Sequence, residues 1–306
     1  MRILITGGAG FIGSHIAESL QGKAEVVILD DFRSGDRKNL NGINHRLIVG
    51  SILDEAKLHE AMQGVDQVFH LAAMISVMES VLKPQECEEL NTQGTSKVLN
   101  AAVQAKVKKV VLASSAAIYG NNPTVPKVET MPPEPQSPYA TTKLAGEQLL
   151  ERFRNEHGLA TTSLRFFNVF GPRQNPKSAY AAAVPIFIAQ AIKGEDINIY
   201  GDGEQTRDFI YVGDIVSALT FAAEKSGLFG TYNVGYGQKI SINDLAKDII
   251  RLTRSSSRIV YHAPRLGDVK HSLASNAKLV NAGWKPKFSF AEGMAKTVEY
   301  FVKLKV

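Results

Sequence analysis

A doubly wound α/β fold, a parallel sheet with helices on both faces, is what this 306-residue sequence predicts. Three observations predict it: short, nearly continuous apolar runs recur through the first half, segments of helical period separate them, and a glycine-rich turn joins the first run to the first helix. The runs are RILIT (2–6), VVILD (26–30), RLIVG (46–50), QVFHLA (67–72), KVVLAS (109–114) and ATTSLRF (160–166), with helices near 11–22, 54–63, 86–105 and 137–157. A strand apolar at successive positions leaves no face for water, so both faces must be covered.

The helix over 137–157 has the clearest limits. Ser137 is a good N-cap, Pro138 suits the first helical position, Leu144, Ala145, Leu149, Leu150 and Phe153 recur at helical spacing, and Gly158 is the stop. Tyr139 and Lys143, four apart in SPYATTK, then share one face. After Phe166 the rhythm breaks into NVFGPRQNPKSAY, followed by a helix to Lys193, a strand INIY (197–200), the turn GDGEQTR, and a strand and helix within 208–224. TYNVG reads as a further strand, a helix starts at Ser241, the basic stretch APRLGDVKHS follows, and a last helix runs from about Phe290 to Lys303. This pattern predicts a smaller C-terminal α/β lobe interleaved with the first domain: residues 1–166 plus about 208–234 against about 167–207 and 235–306. No internal repeat breaks it.

Composition narrows the function classes. The chain carries 35 basic and 30 acidic residues spread without a long basic block, a formal charge of +5, so nucleic acid is not expected as a partner. A phosphorylated, anionic small molecule fits that balance as well. Cys87 stands alone, which excludes an internal disulfide and a multi-cysteine metal site, and the seven histidines lack paired-ligand spacing, so no metal is expected. The strand-like ILIT directly after Met1-Arg2 leaves no room for a signal peptide. AAAVPIFIAQAI (181–192) is shorter than the ~20 residues that span a bilayer and contains Pro185. A cytoplasmic protein with no membrane partner is the expectation.

TGGAGFIG places Gly7, Gly10 and Gly13 in GxxGxxG spacing between a strand and a helix. Glycines there allow a tight turn, close approach of backbone to a pyrophosphate, and close packing of helix on sheet, while the helix N-terminus favours phosphate charge. Asp30 ends the second strand at the distance suited to the adenosine ribose hydroxyls, and its carboxylate would repel a 2′-phosphate, favouring NAD over NADP; Arg33 nearby works the other way.

In TGGAGFIG, LDD, FHLAA (69–73), SSAAIYG (114–120) and YATTK, in that order, the chain resembles the nucleotide-sugar epimerase/dehydratase group of the extended short-chain dehydrogenase/reductase superfamily. The resemblance spans nearly the whole sequence and implies a Rossmann-type sheet, bound NAD and a nucleotide-sugar substrate. It implies Tyr139 as general acid and base, Lys143 and the positive nicotinamide as the field that lowers its phenol, and Ser115 as the hydroxyl that bonds the reacting oxygen. Bringing a phenol from ~10 toward neutrality is a shift of roughly three units, about 4 kcal/mol. The cofactor set it implies is Gly7, Gly10, Phe11, Ile12, Gly13, Asp30, Asp31, Phe32, Arg33, Ser34, Gly35, Ser51, Ile52, Leu71, Ala72, Ala73, Asn91, Tyr139, Lys143 and Phe166. Asn91 would steady the central helix, and Ser51 stands where the family commonly has an adenine-contacting Asp. His70 reads as a satisfied strand residue rather than a base.

For the substrate the resemblance implies Ser76, Ser115, Asn168 and Arg207 with Arg265 on the diphosphate side, Ala183, Val184, Asn198, Ile199 and Tyr200 around uracil and ribose, Asp268 on the ribose, and Ser272 near the sugar 2-substituent. Ala116 and Ala117 stand where related 4,6-dehydratases carry an acidic pair and decarboxylases often a glutamate. Hydride removal and return at one carbon needs neither, so the implied reaction is 4-epimerisation of a UDP-hexose (UDP-glucose/UDP-galactose, with UDP-GlcNAc/UDP-GalNAc admitted by the small Ser272) through a 4-keto sugar, as in galactose metabolism. A uronic-acid epimerase, a sugar oxidoreductase, or a catalytically silent cofactor-binding regulator are the alternatives. The resemblance further implies a homodimer through an intermolecular four-helix bundle of residues 86–105 and 137–157.

Overall fold

The computed structural model describes residues 1–176, 182–264 and 270–304. Strand and helix alternate from the start: β1 (Arg2–Thr6), α1 (Phe11–Ser19), β2 (Glu25–Asp30), β3 (Arg46–Val49), α2 (Glu55–Met62) and β4 (Gln67–His70). Two short helices, α3 (Val77–Leu82) and α4 (Pro84–Glu88), precede α5 (Gly94–Gln104), β5 (Lys109–Ser115), α6 (Pro138–His157) and β6 (Ala160–Phe166). Then come β7 (Asn168–Phe170), α7 (Ala183–Lys193), β8 (Ile197–Tyr200), β9 (Thr206–Arg207), β10 (Phe209–Tyr211), α8 (Val212–Glu224) and β11 (Gly230–Val234). The chain ends with β12 (Ile240–Ser241), α9 (Ile242–Thr253), β13 (Ile259–His262), α10 (Ala277–Asn281) and α11 (Phe290–Leu304).

Two compact units share these elements. The first is Met1–Gly120, Pro132–Phe166 and Val216–Tyr232; the second is Asn121–Met131, Phe167–Ile215 and Asn233–Val306. A seven-stranded sheet of order β11-β6-β5-β4-β1-β2-β3 has its switch point at β1, which pairs in parallel with β2 on one side and β4 on the other. Ligands of such sheets sit beyond the carboxyl ends of the strands at that point. The predicted apolar runs are these strands. Ile3, Leu4 and Ile5 are at most 1% exposed, and burying each contributes ~1.5–3 kcal/mol.

α6 keeps its predicted limits because its signals are local: the Ser137 hydroxyl accepts from the Ala140 N–H at 3.2 Å, and Gly158 at φ 67° closes the helix with its N–H on the Arg154 carbonyl. The helix expected over 86–105 is instead α4, a π-helical turn over Glu89–Gln93, and α5. α3 was not expected; Ser76 caps it by accepting from the Glu79 N–H.

In the second unit β7 pairs in parallel with β10 and β8 with β13, while β9 and β12 run antiparallel. Its core joins Phe170 and Ile199 to Phe187, Ile188, Leu245, Ile249 and Phe301 from α7, α9 and α11. β7 lies in the stretch that reads as irregular because Asn, Pro and Gly follow it, and β13 lies between a serine run and Pro264. Among the described residues, no helix is long and apolar enough to cross a membrane.

Candidate active site

The turn after β1 brings the glycines to one point for steric reasons. A Cβ on Gly7 would lie 2.8 Å from the Ala72 amide nitrogen, and one on Gly13 would lie 2.3 Å from the Gly7 carbonyl oxygen. Gly7 also needs its φ of 71°. Gly10 is the N-cap of α1 and has no side chain to occupy the amides of the first turn, where Phe11, Ile12 and Gly13 stand.

Beside this turn opens a cleft of about 500 Å³ lined by Gly7, Asp30, Asp31, Arg33, Ser34, Ile52, Leu71, Ala72 and Ala73 among the expected residues. Leu29, which opens LDD, lines it too, as do Gly50, Ile75 and Leu90, which topology brings there. The Asp30 carboxylate accepts from the Ala9 and Phe32 N–H groups at 2.8 Å each, which fixes both oxygens at the cleft; burial nevertheless pushes its pKa up, outweighing those two bonds. Phe32, at φ 59°, lies under the Arg37 guanidinium, and Gly35 packs on Ala9. Arg33 is committed elsewhere: it bonds Glu79 at 2.8 Å and also Glu86. Its fork is therefore occupied by carboxylates, which weakens the case for a 2′-phosphate. Ser51 lies outside the lining, and its hydroxyl accepts from the Leu53 N–H at 3.2 Å. A shape cleared of Cβ atoms, a helix N-terminus and a fixed carboxylate together fit a dinucleotide with a free ribose.

A second, narrow crevice shares Ala72 and Ala73 with the first and reaches Asn91, Thr142 and Lys143. The end of β5 faces α6 here. The Ser115 hydroxyl lies near enough to the Tyr139 phenol to pull it down, and Lys143 Nζ donates to the Ala113 carbonyl at 2.9 Å while lying 5.7 Å from the Tyr139 ring centre. Phe166 pairs with Ser115 across β6 and β5. Burial pushes the Tyr139 phenol up more than Ser115 pulls it down, so the chain's own groups oppose the lowering expected of it. Burial also draws the Lys143 ammonium down to about 8, opposed by Cys87 when it is a thiolate and by the Glu147 carboxylate.

Sequence reasoning gave Asn91 a steadying role, and its contacts specify one. Its amide group accepts from the Met74 N–H at 2.7 Å and donates to the Met74 carbonyl and Thr142 hydroxyl at 3.0 Å each; Thr142 in turn donates to the Tyr139 carbonyl at 2.9 Å. It sits in the π-helical turn, a device that re-aims side chains at functional sites. His70 is buried and neutral, drawn down to about 3 by burial and Lys143. Its ring nitrogens meet Thr6 at 2.7 Å and Thr95 at 2.9 Å. Because the Thr95 hydroxyl is spent on the Asn91 carbonyl at 2.5 Å, His70 donates from Nε2 and accepts at Nδ1. Ser80, at the buried face of α3, accepts from the Tyr139 N–H at 3.1 Å.

In the second unit Asn168 donates to the Asp208 carbonyl from both its backbone and its side chain, at 3.1 and 3.2 Å. Arg207 is the next residue back, held to the Thr206 carbonyl at 3.0 Å. Asp208 itself is fully buried and accepts from the amides of Tyr236, Gly237 and Ala274, although burial still pushes it up to about 6. Ala183 and Val184 begin α7, and Asn198, Ile199 and Tyr200 form most of β8, with Tyr200 stacked 5.3 Å from His262 and Asn198 bonded to it at 2.6 Å. The Ser272 N–H donates to Thr206 at 3.0 Å. Ser76 is the α3 cap, and Arg265 and Asp268 lie outside the described residues.

Known proteins share this arrangement over the full chain. The UDP-glucose 4-epimerase of Mycolicibacterium smegmatis is 39% identical, covering 98% of each chain. Among solved structures, the UDP-N-acetylglucosamine 4-epimerase of Methanobrevibacter ruminantium, in complex with UDP-N-acetylmuramic acid, superposes with a TM-score of 0.96 at 41% identity, covering 99% of this chain and 98% of that one. The UDP-glucose 4-epimerase of Thermotoga maritima, with UDP-glucose, gives 0.95 at 41% identity and 99% of each chain. Residues 3–235 match the model of the NAD dependent epimerase/dehydratase family, and the chain belongs to that family.

Proposed function

We propose that this protein is an NAD-dependent 4-epimerase of UDP-hexoses, acting on UDP-glucose/UDP-galactose and on the N-acetyl pair UDP-GlcNAc/UDP-GalNAc. The observation that carries the reading is the end of β5: the Ser115 hydroxyl lies beside the Tyr139 phenol and lowers it, and the next two positions, in a 3-10 turn, are Ala116 and Ala117. A site with one exchangeable proton relay and no carboxylate at that turn suits oxidation and re-reduction of one carbinol, not expulsion of water or carbon dioxide. NAD, when bound, supplies the hydride acceptor and donor together with a positive charge. Tyr139 takes the proton of the sugar 4-hydroxyl and returns it after the 4-keto sugar has presented its other face. Ser115 holds the same oxygen, and Lys143, already positive below about pH 8, stabilises the phenolate.

The first unit is assigned to NAD, with Asp30 on the adenosine ribose and the α1 N-terminus on the pyrophosphate. The second is assigned to the UDP-sugar, with Arg207 and Arg265 on the diphosphate, Asn198 and Tyr200 near the base, and Ser272 leaving room for an N-acetyl group. Two copies joined through α5 and α6 complete the reading; sedimentation of the purified protein as a monomer would remove that part. Assay of the purified protein with NAD and each UDP-sugar tests the whole. Interconversion within both pairs is expected, with Tyr139→Phe losing at least ~100-fold in kcat, the scale of general acid–base catalysis. Ser272→Tyr should cut the N-acetyl reaction selectively; equal loss on both pairs rejects the steric account.

A further inference from the structure

We propose that Glu147 and Arg165, acting through Ser114, form a positioning cluster that holds Ser115, Tyr139 and Lys143 in register; its kinetic test rests on the epimerase reading. Tyr139, Lys143 and Glu147 follow one another at intervals of four on α6 and so line one face. The end of β5 meets all three. Ser115 lies beside the Tyr139 phenol, the Ala113 carbonyl accepts from Lys143, and Ser114 Oγ donates to Glu147 Oε1 at 2.5 Å. Glu147 is then gripped from the next strand: Arg165 Nε and Nη2 donate to its two oxygens at 2.9 and 2.7 Å, and Arg165 is the residue paired with Ser114 in the parallel register of β5 and β6. The Arg165 guanidinium lies 4.8 Å over the ring of Tyr119, which is 1% exposed.

Both charged side chains are only 6% exposed. A buried ion pair gives little net stability over apolar residues of the same volume, because desolvation offsets the attraction. What this one provides is direction. A bidentate fork fixes the carboxylate in a plane, the carboxylate fixes Ser114, and Ser114 is bonded through one peptide to Ser115.

The same carboxylate acts on Lys143. The groups facing that ammonium are Tyr139 and Glu147 from α6, His70 from β4 and Cys87 from α4. His70 is neutral, and burial pushes the Cys87 thiol up so that it too is neutral at pH 7. Glu147 is the remaining anion, and it favours the charged lysine.

Two variants test this. Ser114→Ala removes one rung with no change in charge, and Glu147→Gln with Arg165→Gln replaces the ion pair by an amide pair of similar shape. Steady-state kinetics of Ser114→Ala on UDP-glucose, run well below its Tm, should show kcat lowered about tenfold and KM within about twofold of wild type, the pattern of an interaction realised in the transition state. In the double variant, NMR titration of the Lys143 ε-methylene without sugar should move down by about half a pH unit. The proposal is overturned if Ser114→Ala keeps wild-type kcat or if the Lys143 titration does not move. Should wild type epimerise no UDP-sugar, the functional reading fails by itself. The Lys143 titration still decides this one, with a shift supporting it and none rejecting it.

Discussion

At Gly13 one methyl group has nowhere to go. Its Cβ would lie 2.3 Å from the Gly7 carbonyl oxygen and 2.8 Å from the Gly8 Cα, both backbone atoms, so α1 or the glycine turn must shift. Gly13→Ala should therefore weaken NAD binding at least tenfold by calorimetry, or ~1.4 kcal/mol. The control is Gly22→Ala, which meets nothing within 4 Å and strains only its φ of 73°. That variant should lose about 1 kcal/mol of stability and leave NAD affinity intact. Equal NAD affinity in both variants would show that the turn tolerates displacement. Gly7, Gly10, Gly13 and Asp30 were legible in the sequence because a turn and a strand end impose their residue types locally. Arg33 was only half legible. Its position was clear, but the glutamates that occupy it come from 46 and 53 residues away, Glu79 on α3, which no periodicity announced, and Glu86 on α4.

Among the elements, the break between α4 and α5 matters most for the site. The π-helical turn inserts one residue's worth of offset, and it is there that Asn91 bonds both backbone groups of Met74 and the Thr142 hydroxyl next to Lys143. Asn91→Ala would leave the buried Met74 N–H and C=O without these partners. Each orphaned group costs ~1–3 kcal/mol, so urea unfolding should show a loss of about 2–6 kcal/mol. A loss under ~0.5 kcal/mol would mean that the loop and helix are held by other contacts. Apolar periodicity over 86–105 could not reveal the turn, since an inserted residue in a helical stretch leaves the residue types helical. α6 and β1 were legible to within a residue because caps, proline and unbroken apolar runs mark them. The cluster of Ser114, Glu147 and Arg165 was not, since only the strand register of β5 and β6 brings those residues together.

For the whole molecule, the buried titratable groups set how stability follows pH. On the acid side two of them oppose each other: burial draws His70 down to about 3, so its folding contribution falls as pH drops below 6.5, while Asp208, pushed up to about 6, gains over pH 6 to 3.8. On the alkaline side two lysines act together against one thiol, because burial raises Cys87 from 9.0 and its unfolded form ionises first above pH 9. Burial draws Lys109 and Lys143 from 10.5 down to about 8, so the unfolded chain holds more protons than the fold between pH 8 and 10.5, and stability rises with pH there. Each group contributes at most about 1.4 kcal/mol per pH unit. Above pH 10 the trend reverses, because burial raises the Tyr139 phenol and the unfolded chain ionises first. Lys109 isolates the effect, since its Nζ donates to the Leu228 carbonyl, which also accepts from Thr162 at 2.6 Å and would stay satisfied without it. Lys109→Met should be at least as stable as wild type at pH 7, and its urea midpoint should climb less between pH 7.5 and 9.5. A wild-type midpoint that falls over that range, or a variant that climbs as steeply, would show that Lys109 is not charged at a cost inside the fold.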